Sequence, residues 1–438
     1  MRLRMFLVLV LSLAASRCGG GSQGVDTAHQ GPAPFRFAVF SDPHLHDAAT
    51  LGAGGPDWDA YLAKDRKLLK ESAEIQDSVI ERLLALRPDA VMVSGDLTKD
   101  GELANHQFAA AKLGRLRSAG IKVFVVPGNH DIANPRALNF TVSPAVPTPT
   151  VSPAEFRQVY ADCGFNGALS QDPSSLSYVA EPVPGLWLLA LDSCDYANNQ
   201  TQGAPVTAGR LTAATQTWAL ARLQEARQKG KLVIGLMHHG LVEHFAGQAQ
   251  KFPAYLLSNA PMVGKSLADN GMNLVFTGHF HANDITAQDF GSSRLVDCET
   301  GSLVTAPCPY RTASLDLAAG RVDIRTETVA AIPSHPSDFL AYSSALQRQG
   351  LTDATMAQLT RAPYYLDSTR AAQATPWVVG GMMAHFAGDE NLTDPATRDA
   401  ITEMLSSKDF VMTLLGQWIQ SLWTDLPPKD TSASLVLK

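Results

Sequence analysis

The chain predicts an α/β fold with a helical C-terminal domain. Short apolar β-type runs alternate with stretches of helical periodicity. Histidine, aspartate and asparagine side chains gather directly after successive apolar runs, and beyond Ile332 strand signals thin out. Alternation of strand and helix is the mark of layered α/β architectures. Open α/β sheets place their sites at the carboxyl ends of strands.

The elements follow in order. Residues 19–33, rich in Gly, Gln and Pro, read as a linker. The apolar run 35–40 is the first strand. A helix is expected over 64–86, where Leu68, Leu69, Ile75, Val79, Leu83 and Leu84 recur at helical spacing. A strand at 90–93, a helix near 103–119 and a strand at 122–126 come next. The Pro/Thr/Ser-rich stretch 133–153 is an insertion that either borders the site or forms a surface excursion. Strands are then expected near 176–179 and 186–191, a helix near 212–228, and strands at 232–236 and 273–276. Segments around 293–296, 313–317 and 322–326 read as antiparallel strands. Residues 34–330 make one domain. Residues 331–438 make a helical one, with helices at 336–349, 355–359, 394–406 and 410–423. Trp377, Phe410, Trp418 and Trp423 are expected to pack those helices.

With 438 residues and 45% hydrophobic content the chain can bury a sizeable core, and its length suits two or three domains. The net charge is −7 and no long Lys/Arg run occurs, so a dedicated nucleic-acid surface is not expected. An acidic balance still admits an anionic substrate where bound cations reverse the local field. Arg2 and Arg4 precede an apolar stretch, 5–15, too short to span a bilayer; residues 1–18 read as a signal peptide. Cys18, followed by Gly19-Gly20-Gly21-Ser22, resembles the lipidated cysteine of bacterial lipoproteins, although Arg17 stands where a small residue is usual. The expected location is the cell envelope, with a lipid anchor at Cys18 as the only membrane contact; ordinary secretion is the alternative. Of the remaining cysteines, Cys163, Cys194, Cys298 and Cys308, export permits disulfides. A Cys298–Cys308 pair is expected because a short loop closes easily; the alternative is buried free thiols.

Five blocks carry the chemistry: Ser41-Asp42-Pro43-His44, Ser94-Gly95-Asp96-Leu97, Pro127-Gly128-Asn129-His130-Asp131, Met237-His238-His239 and Gly278-His279-Phe280-His281. In that order they resemble the calcineurin-like metallophosphoesterase superfamily. Longer stretches, Ser94 to Thr98, Phe124 to Asp131, and Val151-Ser152-Pro153 with Phe156 and Tyr160, are similar to bacterial class III cyclic-nucleotide-phosphodiesterase-like members, some with a helical C-terminal domain. The resemblance implies a four-layer sandwich of two packed β-sheets flanked by helices. It also implies a binuclear centre of divalent or trivalent ions bridged by Asp96. Asp42, His44 and His281 complete one metal site and Asn129, His238 and His279 the other. Imidazole and carboxylate donors without thiolate suit Mn, Fe or Zn. Two such ions clamp a phosphoryl group and activate a water between them for attack. The resemblance gives His130 the role of proton donor to the leaving group and Asp131 that of orienting its imidazole.

Other polar residues near the blocks have less specific expectations. His239 is expected beside the ligands or facing substrate. Asp192 either orients a ligand histidine or closes a turn. His46 and His244 are expected at the surface near the site mouth, and His106 solvated on its helix.

An absence bears on the substrate. Ser/Thr protein phosphatases of the superfamily carry arginines beside these blocks. Here Gly95-Asp96-Leu97-Thr98-Lys99-Asp100-Gly101 has none, and Pro127 precedes Gly128. Without that bidentate grip on a phosphomonoester dianion, the expected substrates are small phosphodiesters such as cyclic nucleotides. Arg136, Arg210 and Arg311 keep a small-molecule phosphomonoesterase as the alternative. A non-catalytic cell-surface binding protein is the third reading; lost ligands would mark it, and all seven are present.

Overall fold

Runs that are apolar throughout become the inner strands of two sheets. The computed structural model describes residues 33–437; the leader, Cys18 and the linker up to residue 32 lie outside the described residues. Everything described from Pro34 onward belongs to one compact unit. In chain order the strands are β1 (Phe35–Phe40), β2 (Ala90–Val93), β3 (Lys122–Val125), β4 (Leu138–Asn139), β5 (Val146–Pro147), β6 (Ser170–Gln171), β7 (Tyr178–Val183), β8 (Leu186–Leu191), β9 (Leu232–Met237), β10 (Leu274–Thr277), β11 (Asp284–Asp289), β12 (Arg294–Glu299), β13 (Pro309–Asp316), β14 (Arg321–Thr328) and β15 (Ser432–Val436).

One sheet has six strands in the order β15-β14-β13-β1-β2-β3. The other has seven, β11-β12-β10-β9-β8-β7-β6. Their inner strands are parallel, β1 with β2 and β2 with β3 in the first sheet, and β8, β9, β10 and β12 in the second. Parallel strands covered on both faces need apolar residues throughout, which is why these runs do not alternate in sequence.

The pleat nevertheless sorts their side chains. Leu188, Ala190, Ile234, Leu236 and Phe276 enter the main core with Phe37, Val91 and Val93 of the other sheet. The Phe37 and Phe276 rings meet edge-on at 5.6 Å. The alternate residues Trp187, Leu189, Val233 and Val275 join a second cluster with Ala219 and Leu223 of helix Ala213–Gln228 and Val263 and Leu267 of helix Ala260–Asp269. Helices Ser72–Leu86 and Leu103–Ser118 add Ile75, Val79, Leu83, Leu113 and Leu116 to the main core. Burying each such large side chain is worth roughly 1.5–3 kcal/mol. The result is two sheets flanked by helices, with a helical C-terminal region.

Several elements differ from expectation. The helix expected from residue 64 begins at Ser72, because the Leu68 amide is drawn to the Val304 carbonyl (2.8 Å) and the segment before it is a turn. The strand at 293–296 is not purely antiparallel: β12 pairs antiparallel with β11 and parallel with β10. Helix Ser368–Ala387 lies where Pro376 and Gly380-Gly381 argue against one; burial of Ala371, Ala374, Val378, Val379 and Met382 overrides that local preference. The expected segments 336–349 and 355–359 merge into one helix, Phe339–Leu359. After helix Phe410–Leu422 the chain returns as β15 to pair with β14, an unforeseen strand.

Insertion 133–153 contributes the β4–β5 hairpin, and Phe140 packs with Trp58 and Leu69. The Cys298–Cys308 disulfide does not form; all four described cysteines are free thiols. Cys298 sits in β12 of one sheet and Cys308 leads into β13 of the other. A bridge between them would have to cross from one sheet to the other, so closeness in sequence does not bring the two thiols together.

Candidate metal centre

The parallel strands of both sheets aim their carboxyl ends at one place. The loop after β1 brings Asp42 and His44, that after β2 Asp96, and that after β3 Asn129 and His130. From the second sheet come His238 after β9 and His279 and His281 after β10. Backbone bonds tie these loops together: Asp42 N to Gly95 O (3.1 Å), His44 N to Asp96 O (3.0 Å) and Gly278 N to His238 O (3.0 Å).

The local backbone is unusual. Asp42 (φ 49°), His44 (φ 38°), Asp96 (φ 48°), His279 (φ 78°) and His281 (φ 72°) all lie in the left-handed region. Each such residue costs on the order of 1–2 kcal/mol, and strain of this kind concentrates at ligand sites. Gly128 is required by close approach: a Cβ there would stand 2.1 Å from both the amide nitrogen and Oδ1 of Asp96.

The seven expected donors are brought together. His44 Nε2 lies 3.5 Å from Asp96 Oδ2, 3.9 Å from Asp42 Oδ1 and 3.3 Å from His281 Nε2, which is 3.4 Å from Asp42 Oδ1. On the other side His238 Nε2 lies 3.6 Å from Asp96 Oδ2 and 3.2 Å from Asn129 Oδ1. Asp42, His44 and His281 form one group able to hold an ion. Asp96, His238 and His279 form a second, and Asp96 also stands with His44 and His130.

The outward ring nitrogens are engaged elsewhere. His238 Nδ1 is 2.8 Å from the Ser94 carbonyl, His279 Nε2 is 3.2 Å from the Ala254 carbonyl, and His281 Nδ1 is 3.0 Å from the Thr305 hydroxyl. A ring that donates there keeps its opposite nitrogen as a free lone pair. Burial, then the charge of Lys67, holds His44 well below its ordinary pKa; burial and His239 do the same to His279. Neutral imidazole is the form that binds metal. Burial opposes ionisation of Asp42, but the hydrogen bond and charge of His281 hold it at about 2. Asp42 Oδ1 and His44 Nδ1 have no protein partner. Three oxygen and four nitrogen donors, converging without thiolate and sharing one carboxylate, fit a pair of divalent or trivalent cations.

His130 is partly exposed beside this cluster, its ring edge-on to His44. Its expected partner is corrected. Asp131 does not touch the imidazole; its carboxylate accepts from the backbone amides of Leu97, Thr98 and Gly128 and from the Thr98 hydroxyl, and so clamps two site loops together. Asp100 takes the orienting place, with Oδ1 3.0 Å from His130 Nδ1. Tyr61 (2.7 Å) and Lys99 (2.8 Å) hold the other oxygen of Asp100. Burial opposes it, but the charge of Asp96 and the bond to Asp100 raise the His130 pKa above its ordinary value. Asp100 lies four residues after Asp96 in the Gly95–Gly101 block.

His239 lies against His279 (ring centroids 4.3 Å apart) and bonds Ser193 and the Thr207 carbonyl. Asp192 closes a turn, accepting from Leu176 N, Cys194 N and the Tyr196 hydroxyl. Three histidines expected in solvent are buried. His46 stacks on Trp58, His106 bonds Tyr160 and the Asp131 carbonyl, and His244 pairs with Asp284. Each found polar partners that sequence spacing does not display. Trp418 is buried among the tail helices, whereas Phe410 is exposed.

The calcineurin-like phosphoesterase family model matches residues 35–283, more than half of the chain. Among solved structures, a dimetal phosphatase from Danio rerio aligns with TM-score 0.48 and 17% identity over 68% of this chain and 96% of its own. A purple acid phosphatase from yellow lupin (Lupinus luteus) seeds aligns with TM-score 0.43 and 13% identity over 68% of this chain and 52% of its own. The inner-membrane-complex anchor GAP50 of Plasmodium aligns with TM-score 0.33 and 9% identity over 68% and 85%. No curated protein matches.

Proposed function

Since the chain belongs to the calcineurin-like phosphoesterase family, we propose that its metal-dependent phosphoester hydrolysis acts on small phosphodiesters, cyclic nucleotides among them. The observation that carries this reading is the pair of donor groups sharing Asp96. Two ions held there would supply Lewis acidity toward the phosphoryl oxygens and a water. In this reading Asp96 would serve both, Asp42, His44 and His281 would hold one, and Asn129, His238 and His279 would hold the other. Mn, Fe and Zn all suit that set.

The remaining steps fall to protein side chains. His130 Nδ1 is taken by Asp100 and the Lys99 carbonyl, so Nε2 is the nitrogen free to face substrate. From there it gives a proton to the leaving oxygen, and Asp100 keeps the ring in place and favours its charged form.

The preference for diesters is supported by where two of the three candidate arginines go. Arg311 is buried and spends its guanidinium on the carbonyls of Asp284, Glu299 and Asp430. Arg210 pairs with Asp195 at 2.9 Å. Export and a lipid anchor at Cys18 remain part of the proposal, supported by the leader pattern alone.

The test is turnover of an aryl phosphodiester and its matching monoester, side by side, by the Mn-loaded protein. Selective diester hydrolysis is expected. Preference for the monoester moves the assignment to a phosphomonoesterase. Silence on both, with metal bound, sinks catalysis and leaves a binding protein.

A further inference from the structure

A small cavity of about 50 Å³ opens against the metal centre, lined by His281, Thr305, Lys67, Gln347, Leu351 and Phe386 among others. Two of these belong to the centre itself, since Thr305 holds the outward nitrogen of His281. Lys67 comes from the turn before helix Ser72–Leu86, which the Leu68–Val304 backbone bond pins beside Thr305. Gln347 and Leu351 come from tail helix Phe339–Leu359 and Phe386 from helix Ser368–Ala387. The tail helix lies directly on the Lys67 turn: a Cβ on Gly350 would stand 2.8 Å from Arg66 Cγ. Tyr342 adds a hydrogen bond to Glu71 at 2.8 Å.

Gln347 makes the cavity more than a packing gap. Its side chain is 2% exposed, yet both its amide oxygen and its amide nitrogen lack a hydrogen-bond partner in the protein. Leaving a buried amide unpaired is costly, so such groups normally have a ligand or water. Lys67 lines the same cavity, and its ion pair is with Asp65, another lining residue, at 3.1 Å. A buried amide and a cation facing a metal ligand are what a phosphoryl anion requires. Neither lies in the blocks where phosphatase arginines would stand.

Resting on the phosphoester reading above, we propose that Lys67 and Gln347 form an anion subsite that grips a non-bridging phosphoryl oxygen of the substrate, so that the helical tail supplies part of the substrate pocket. Lys67 acts as a point charge rather than a bidentate fork, and the Gln347 amide donates beside it.

The experiment measures binding of inorganic phosphate by calorimetry to the Mn-loaded full chain, with metal content checked for every variant. Lys67→Met is expected to weaken phosphate about tenfold and Gln347→Leu severalfold, the size of a lost charge-assisted or neutral hydrogen bond. Metal content is expected to hold, and Lys67→Arg to restore most of the affinity. For the aryl diester, KM is expected to rise with kcat nearly unchanged. Equal phosphate affinity in wild type and Lys67→Met overturns the subsite, as does a loss that Lys67→Arg fails to reverse. Lys67-dependent phosphate binding without turnover of either ester would leave the subsite standing and remove the hydrolase assignment.

Discussion

At the metal centre imidazoles and carboxylates face one another at 3.4–3.9 Å, whereas at the junction with the helical tail the same residue types touch. His244 Nδ1 lies 2.6 Å from Asp284 Oδ1, and His385 Nδ1 lies 2.7 Å from Glu390 Oε1. Both clusters are buried, and Asp284, His385 and Glu390 also stand close enough to hold an ion. The difference is where the ring nitrogens are spent. At the centre, the outward nitrogens of His238, His279 and His281 meet Ser94, Ala254 and Thr305, so their inward nitrogens converge on the oxygens of Asp42, Asp96 and Asn129. At the junction, Nδ1 of each ring is spent directly on a carboxylate. Residue type therefore does not make a metal site; the hydrogen bonds behind the ligands do.

Four perturbations separate the two clusters. The largest effect is expected from Asp96→Ala, which removes the shared carboxylate. Paired metal binding and turnover should fall together, turnover by about 10³-fold or more; wild-type turnover in this variant would refute the bridging role. His130→Ala should keep the metals and lower turnover by about 10²–10⁴-fold on an ester with a poor leaving group. An equal loss on activated aryl esters would argue against proton donation.

His385→Ala acts on the junction alone. Leaving Glu390 buried and unpaired should cost about 3–5 kcal/mol in chemical denaturation, with metal stoichiometry unchanged. A loss of bound metal would show instead that the junction holds an ion. The smallest effect is a pH slope. Burial opposes it, but Asp284, Asp297 and Glu299 raise His244 well above its ordinary value. A raised folded-state pKa contributes stability that is complete below about pH 6.5 and is lost as pH rises through the folded value. Glu299, raised mainly by burial, acts in the same direction. Unfolding free energy should therefore fall on the alkaline side by at most about 1.4 kcal/mol per pH unit for His244. His244→Gln should flatten that slope; an unchanged slope would place the titration elsewhere.

Much of the site was legible because metal ligands must be particular residue types held at strand ends. The five blocks and the apolar runs before them are local signals. Asp100, Lys67 and Gln347 were not legible, because what distinguishes them is who stands opposite. Asp131 sits next to His130 in sequence, yet the backbone amides of Leu97, Thr98 and Gly128 claim its carboxylate. His46, His106 and His244 looked like surface residues because a polar side chain reads as exposed until its buried partner is known.

By itself the sequence determined most of the strands and helices before residue 331, the residue types able to act as donors and the helical character of the tail, since these follow from short-range periodicity and residue chemistry. Only the tertiary structure decided which face of each all-apolar strand enters the main core, that Cys298 and Cys308 belong to opposite sheets, and that helix Ser368–Ala387 survives Pro376. It alone also decided that five ligands take left-handed backbone angles and that β15 closes the tail onto the first sheet. These depend on contacts between residues far apart in the chain, where burial and hydrogen bonding outweigh local preference.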